Sequence, residues 1–146
     1  MLPFMYDAQD KMLYQVAVVL VNGATAFTVS GGPIQILALG CVCITANDAT
    51  ASTLQYSADG TVGAATTITG ASASLANAAA GSIVAAVPGT LATAPALYAN
   101  GVGIAGTVGI IVPAGIITAV VGVGSTTGTW RHFIRYIPLA SGVTVT

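Results

Sequence analysis

The sequence predicts an all-β protein: a jelly-roll-like antiparallel β-sandwich preceded by an N-terminal arm. Short β-branched runs recur roughly every dozen residues and are separated by turns rich in Gly and Pro, which is the rhythm of a sandwich or barrel. Residues 14–21 and similar runs carry apolar side chains on both faces of an extended strand. Hydrophobic residues make up 55% of the chain and charged residues 5%, so its sheets have to be covered on both sides.

The 146 residues suit one domain, and we divide them into an arm, residues 1–11, and a single β-sandwich domain, residues 12–146. Turns are predicted at residues 22–23, 31–33 and 58–60, where Gly, Pro, Asn or Asp cluster. Residues 71–80 are expected to be mostly loop, with one helical turn at most. Strands are predicted at residues 14–21, 24–29, 34–46, 53–57, 66–69, 82–87, 108–112, 116–123 and 129–137.

The few charged residues argue against two classes of partner. They are Asp7, Asp10, Lys11, Asp48, Asp59, Arg131 and Arg135, and residues 60–130 carry no formal charge. Three cations in a chain of net charge −1 cannot neutralise a nucleic-acid backbone, so no nucleic-acid partner is expected. Membrane insertion is not expected either, because Gly and Pro interrupt every apolar run before the roughly 20 residues that a spanning helix needs.

The residues that could carry chemistry do not complete a catalytic or metal-binding pattern. Residues 101–106 match the glycine spacing of a dinucleotide-binding loop, but no acidic residue follows Asp59 to hold a ribose. Cys41 and Cys43 are too few for a tetrahedral metal site in a chain whose only histidine is His132. We expect two buried thiols that act as small hydrophobes, and a metal shared between subunits is the open alternative. No enzymatic activity and no cofactor are expected.

The predicted strand at residues 129–137 has two different faces. One face carries Trp130, His132, Ile134 and Tyr136, and the other carries Arg131, Phe133, Arg135 and Ile137. The first set is expected to supply aromatic core side chains whose polar tips bond to backbone. Arg131 and Arg135 are candidate interface residues that pair either with a partner's carboxylates or, within the chain, with Asp48 or Asp59.

The apolar residues of the arm form a second candidate interface. Leu2, Pro3, Phe4 and Tyr6 precede the first predicted strand, so we expect the arm to dock on another subunit. Strands that are β-branched on both faces also favour a symmetric homo-oligomer, because a monomer would expose too much apolar surface.

Several segments together resemble a family of small tailed-bacteriophage virion proteins, the capsid decoration (cement) proteins. They are AFTVSGGPI at residues 26–34, the strand that follows it, AAAGS at 78–82, IVPAGII at 111–117, and TGTW at 127–130 leading into RYIPLASGV at 135–143. The likeness spans residues 24–146, is most specific near the C-terminus, and does not include residues 1–20. It implies a jelly-roll-like domain, commonly trimeric, that binds the major capsid protein on the outer capsid surface of the virion and ties neighbouring capsomers.

Two other functions stay open. The chain could be a head-fibre base or tail-associated structural subunit of the same kind of particle. It could also belong to a different class, a small phage membrane protein.

Overall fold

The computed structural model describes residues 10–86, 94–98, 109–124 and 127–146. These residues form strands, turns and loops and contain no helix. The strands are β1 (Lys11–Tyr14), β2 (Val18–Val19), β3 (Ala24–Ser30), β4 (Ile34–Thr45), β5 (Leu54–Gly60), β6 (Thr66–Thr67), β7 (Ile83–Ala85), β8 (Ala96–Tyr98), β9 (Ile110–Val112), β10 (Gly115–Val121), β11 (Thr129–Pro138) and β12 (Thr144–Val145).

The strands form two sheets in which every described pair is antiparallel. The larger sheet has the order β1-β11-β4-β7-β8, with β2 paired to β11 and β9 paired to β4. The smaller sheet has the order β12-β3-β10-β5-β6. This arrangement confirms the predicted all-β antiparallel sandwich. The jelly-roll connection of the strands stays a prediction.

A single core lies between the sheets, because each long strand turns alternate side chains inward. Its largest fully buried side chains come from both sheets: Ile34, Leu39, Trp130 and Ile134 from the larger, and Phe27, Leu54, Tyr56 and Ile117 from the smaller. Burying one side chain of this size contributes about 1.5–3 kcal/mol, so this contact area holds the sheets face to face.

The segment between β6 and β7 is loop, as predicted for residues 71–80, and it lies along β5. The Ser72 hydroxyl accepts a hydrogen bond from the Leu54 N–H at 3.0 Å, and the Thr69 hydroxyl accepts one from the Tyr56 N–H at 2.9 Å. Leu75 is fully buried beside them. The backbone N–H groups of Ser72 and Thr69 in turn donate to the Leu54 and Tyr56 carbonyls, so this loop takes the place of a neighbouring strand along the first half of β5.

The predicted first strand, residues 14–21, is wrong in its bounds, because the structure has β1 and β2 instead. Tyr14 lies opposite Phe133 and Val18 lies opposite Trp130. Four residue steps lead from Tyr14 to Val18, but only three lead from Phe133 to Trp130 on β11. The segment between β1 and β2 therefore contains one extra residue, which interrupts the hydrogen bonds to β11. Val16, inside the break, is 79% exposed. β1 begins at Lys11, which the predicted division of the chain places in the arm.

The predicted turn at residues 58–60 is also wrong. β5 continues through Gly60, which lies opposite Gly115 of β10, and the bend follows at residues 61–63. Pairing with β10 outweighs the local turn preference of Asp59 and Gly60. The turns at residues 22–23 and 31–33 are confirmed, with φ of 79° at Gly23 and 82° at Gly31.

Candidate interaction surface

The two faces of β11 carry different side chains, buried ones towards the core and exposed or half-buried ones on the opposite side. Its inward residues are all buried: Trp130, His132, Ile134 and Tyr136. On the opposite face Arg131 and Arg135 are exposed, while Phe133 and Ile137 are half-buried. The predicted alternation is therefore confirmed.

The outward residues of β11 continue into the neighbouring strands. The strand register places Met12 of β1 opposite Arg135, and Val42 of β4 opposite Arg131. Ile83 of β7 lies opposite Val42 in turn. We use the name outer face for the resulting surface, which comprises Met12, Tyr14, Val42, Ile44, Ile83, Arg131, Phe133, Arg135 and Ile137.

The outer face combines solvent exposure with apolar chemistry. Met12 is 51% exposed, Tyr14 is 55% exposed and Ile44 is 41% exposed. The core, by contrast, lies between the sheets on the opposite side of these strands. Exposed apolar side chains grouped on one face of a sheet, here beside Arg131 and Arg135, are typical of a binding surface.

Arg135 forms an ion pair with Asp10, which corrects the predicted pairing with Asp48 or Asp59. The hydrogen bond to Asp10 and the charge of that carboxylate raise the pKa of Arg135. The β1–β11 register causes the pairing, because Asp10 lies two residues before Met12 and therefore on the same face of the strand, next to Arg135. Asp48 instead accepts a hydrogen bond from the Thr50 N–H at 2.8 Å, the backbone contact expected of an aspartate in a turn.

The inward face of β11 makes two polar contacts inside the core. Tyr56 Oη lies 2.8 Å from His132 Nδ1 and so joins the two sheets. Trp130 Nε1 donates to Asn47 Oδ1 at 3.5 Å, and Asn47 Nδ2 donates to the Leu75 carbonyl at 2.9 Å. The prediction of backbone partners for the aromatic tips is wrong here, because the backbone of β11 is already paired with β4 and β1.

Burial determines the protonation state of the Tyr56–His132 pair. It lowers the pKa of His132 to about 4 and raises the pKa of Tyr56 well above its ordinary value. At neutral pH the imidazole is therefore uncharged, and it shares a hydrogen bond with the Tyr56 hydroxyl through Nδ1. Sequence reasoning missed Tyr56 and Asn47, since a contact between sheets leaves no local pattern.

Cys41 and Cys43 are free thiols and both are buried, as predicted. Desolvation raises the pKa of each thiol, so the thiolate form that would bind metal or attack an electrophile is disfavoured. Within the described part of the chain, His, Cys, Asp and Glu form no group of three or more that could hold a metal ion.

Two predicted features lie outside the described residues. They are the interface candidates Leu2, Pro3, Phe4 and Tyr6, and the glycine pattern at residues 101–106. The docking of the arm on another subunit therefore stays a prediction.

No protein-family model, curated protein or solved structure matches the chain. In the ranges that the structure describes, no helix has both the length and the hydropathy needed to cross a bilayer.

Proposed function

We propose that the chain is a structural protein of a bacteriophage virion: a capsid decoration (cement) subunit on the outer capsid surface that stabilises contacts between neighbouring capsomers. The observation that carries the proposal is the outer face, an exposed apolar surface that spans β1, β11, β4 and β7. A subunit that covers such a surface by binding its neighbours gains the free energy of burying it. The sequence resemblance supplies the kind of neighbour, the major capsid protein and further copies of the chain in a trimer.

The chemistry of the outer face suits an assembly that has to persist in changing media. Charge interactions between exposed groups are screened over about 10 Å at 0.1 M salt, whereas apolar contacts are not. The outer face has two cations, and one of them, Arg135, is already paired with Asp10. Arg131 is exposed and can donate to a carboxylate or carbonyl of the partner.

The direct experiment is a density map of the intact phage particle, with mass spectrometry of purified particles to show that the chain is present. The proposal expects density for the sandwich on the outer capsid, with the outer face against a neighbour. Density at the tail or at the base of a head fibre would contradict it and support that alternative instead. Recovery of the chain only with detergent-extracted membrane would also contradict it.

Variants of the outer face test the surface itself. Tyr14→Asp places a charge on an exposed apolar position and should reduce occupancy on the particle, whereas Val123→Asp, at a 53% exposed valine after β10, should not. Raising the salt concentration to about 1 M should not remove the wild-type protein. Equal occupancy of the two variants would mean that another surface binds the capsid.

A further inference from the structure

The turn between β2 and β3 contains an Asn-Gly pair, Asn22 and Gly23, and both residues are exposed. In an Asn-Gly pair the asparagine side chain is open to attack by the next main-chain nitrogen, because glycine has no Cβ to hinder the approach. Gly23 has a φ of 79°, and no atom lies within 4 Å of the position that a Cβ would take there. Crowding therefore does not prevent this reaction at the turn, and water has access to it.

The reaction is deamidation, and it has two steps. The Gly23 nitrogen attacks Cγ of Asn22, so a new nitrogen–carbon bond forms while the bond from Cγ to the amide nitrogen breaks. The proton of the Gly23 N–H leaves with that amide nitrogen as ammonia, and a five-membered succinimide ring remains. Water then opens the ring at one of its two carbonyl carbons. Opening at Cγ gives aspartate, and opening at the main-chain carbonyl carbon gives isoaspartate, whose main chain runs through Cβ and Cγ.

Both reacting groups are bonded to β10 in the folded protein. The Gly23 N–H donates to the Ala119 carbonyl at 3.0 Å, and Asn22 Oδ1 accepts a hydrogen bond from the Val121 N–H at 3.1 Å. The pairing of β3 with β10 ends where Ala24 lies opposite Ala119. The turn therefore adds two more hydrogen bonds to this ladder, and one of them comes from the Asn22 side chain.

The two hydrogen bonds have opposite effects on deamidation. A donor at Oδ1 stabilises the negative charge that this oxygen acquires when Cγ is attacked, so the Val121 N–H by itself favours the reaction. The bond from Gly23 to Ala119 opposes it, because the nitrogen has to lose its proton to become a nucleophile and its N–H is held by a carbonyl. Since no attack takes place without a nucleophile, the bond to Ala119 determines the outcome in the folded protein.

Opening of this end of the sheet releases the nucleophile. The ends of strand ladders open more often than their centres, and the Gly23–Ala119 bond lies at such an end. We propose that Asn22 is a latent deamidation site, which the Gly23–Ala119 hydrogen bond keeps unreactive in the folded protein and which reacts when this end of β3 separates from β10. The reaction needs only water, so it does not depend on the proposed function or on a partner.

The two products have different effects on β10. Aspartate keeps an oxygen at the position of Oδ1 and still accepts the Val121 N–H. Isoaspartate lengthens the main chain by one carbon atom and takes the Cγ carbonyl into it, so the buried Val121 loses its acceptor. A chain that forms isoaspartate while it is open therefore closes this end of the sheet less favourably afterwards.

Incubation of the full chain at pH 8, in buffer and in urea, tests the proposal, with peptide mapping by mass spectrometry to assign deamidation to a residue. In urea, Asn22 should react at a rate similar to that of Asn100, the other asparagine followed by glycine, which gives the rate of an unprotected pair. In buffer, Asn22 should react more slowly than in urea by about tenfold or more, because only the open fraction of molecules reacts. Equal rates at Asn22 in buffer and in urea would overturn the proposal.

Hydrogen exchange of the Gly23 amide, followed by NMR, tests the assigned cause. Exchange and deamidation need the same opening, so folding should slow both by about the same factor. Fast exchange at Gly23 together with slow deamidation at Asn22 would show that something other than the bond to Ala119 protects the site, and the assignment would fail.

Two variants test the role of the Asn22 side chain. Asn22→Asp should keep a urea midpoint close to that of the wild type, whereas Asn22→Ala should lower it, because the Val121 N–H is left without an acceptor. Refolded chains that carry isoaspartate should have a lower urea midpoint than Asn22→Asp. Equal midpoints for these two would contradict the effect assigned to the longer main chain.

Discussion

Lowering the pH from 7 to 4 should destabilise the sandwich by about 3 kcal/mol through His132 alone. Burial lowers the pKa of this imidazole from 6.5 to about 4 in the folded protein. Between these two values the unfolded chain binds a proton that the folded chain does not, so the free energy of unfolding falls as the pH falls. The magnitude follows from about 1.36 kcal/mol for each pH unit between the two pKa values.

Burial explains why the folded protein disfavours the proton, since the charged imidazolium would lose its contact with water. Tyr56 Oη lies 2.8 Å from Nδ1 and can accept a hydrogen bond from a protonated ring, but it carries no charge to offset that of the imidazolium. The cross-strand neighbour on β4 is Cys41, whose thiol pKa is itself raised by burial. No carboxylate is among the buried residues that the structure describes, so nothing in the core compensates the charge.

Urea unfolding at pH 7, 5.5 and 4, followed by the fluorescence of Trp130, measures the effect. Trp130 is the only tryptophan of the chain and is fully buried, so its emission reports unfolding. His132 is the only histidine, so its NMR titration gives the folded pKa without ambiguity.

His132→Gln is the matched control, because the glutamine amide can donate to or accept from Tyr56 and does not titrate. Its stability should depend on pH only through the exposed carboxylates, and so less steeply than that of the wild type. Equal pH dependence of the two proteins would refute the reasoning, as would a His132 resonance that titrates near pH 6.5.

Three further predictions concern stability and reactivity. Gly40→Ala should lower the free energy of unfolding by about 1–3 kcal/mol, because its Cβ would collide with the Val84 carbonyl; an unchanged urea midpoint would contradict this. Asn47→Ala should cost about 1–3 kcal/mol by the same assay, because it leaves the buried Trp130 indole N–H without its partner, and a neutral effect would mean that water replaces the amide. Cys41 should stay unreactive towards Ellman's reagent at pH 8 until urea unfolds the chain, and rapid labelling of native protein would show that its burial is not maintained.

Local alternation was enough to predict β11 and the division of its side chains between core and surface. A period of two depends only on neighbouring residues, so Arg131 and Arg135 could be assigned to one face before any pairing was known. The partner of Arg135 could not be predicted in this way, because it depends on which residue of β1 lies opposite. The signal was present in Asp10, two residues before Met12, but it is readable only once the register is known.

The errors in the fold have a related physical origin. The apolar pattern at residues 14–21 continues through the extra residue that separates β1 from β2. A sequence pattern does not show whether the partner strand has the same number of residues, so the change of register could not be predicted. Asp59-Gly60 has a local preference for a turn, yet seven paired positions with β10 hold it extended. The partners of His132 and Trp130 come from segments far away in the chain, and no local rule identifies them.

The hydroxyl contacts along β5 have a consequence for how copies can aggregate. A strand with free N–H and C=O groups is a template on which a strand of any other molecule can add, and the product can grow without limit. Ser72 and Thr69 cap the Leu54 and Tyr56 N–H groups with side-chain oxygens, which present no strand for the next molecule to copy. A protein with so few charges has little electrostatic repulsion to keep its copies apart. Along this part of β5, the N–H groups of Leu54 and Tyr56 are already bonded, so a strand of another molecule cannot pair with them.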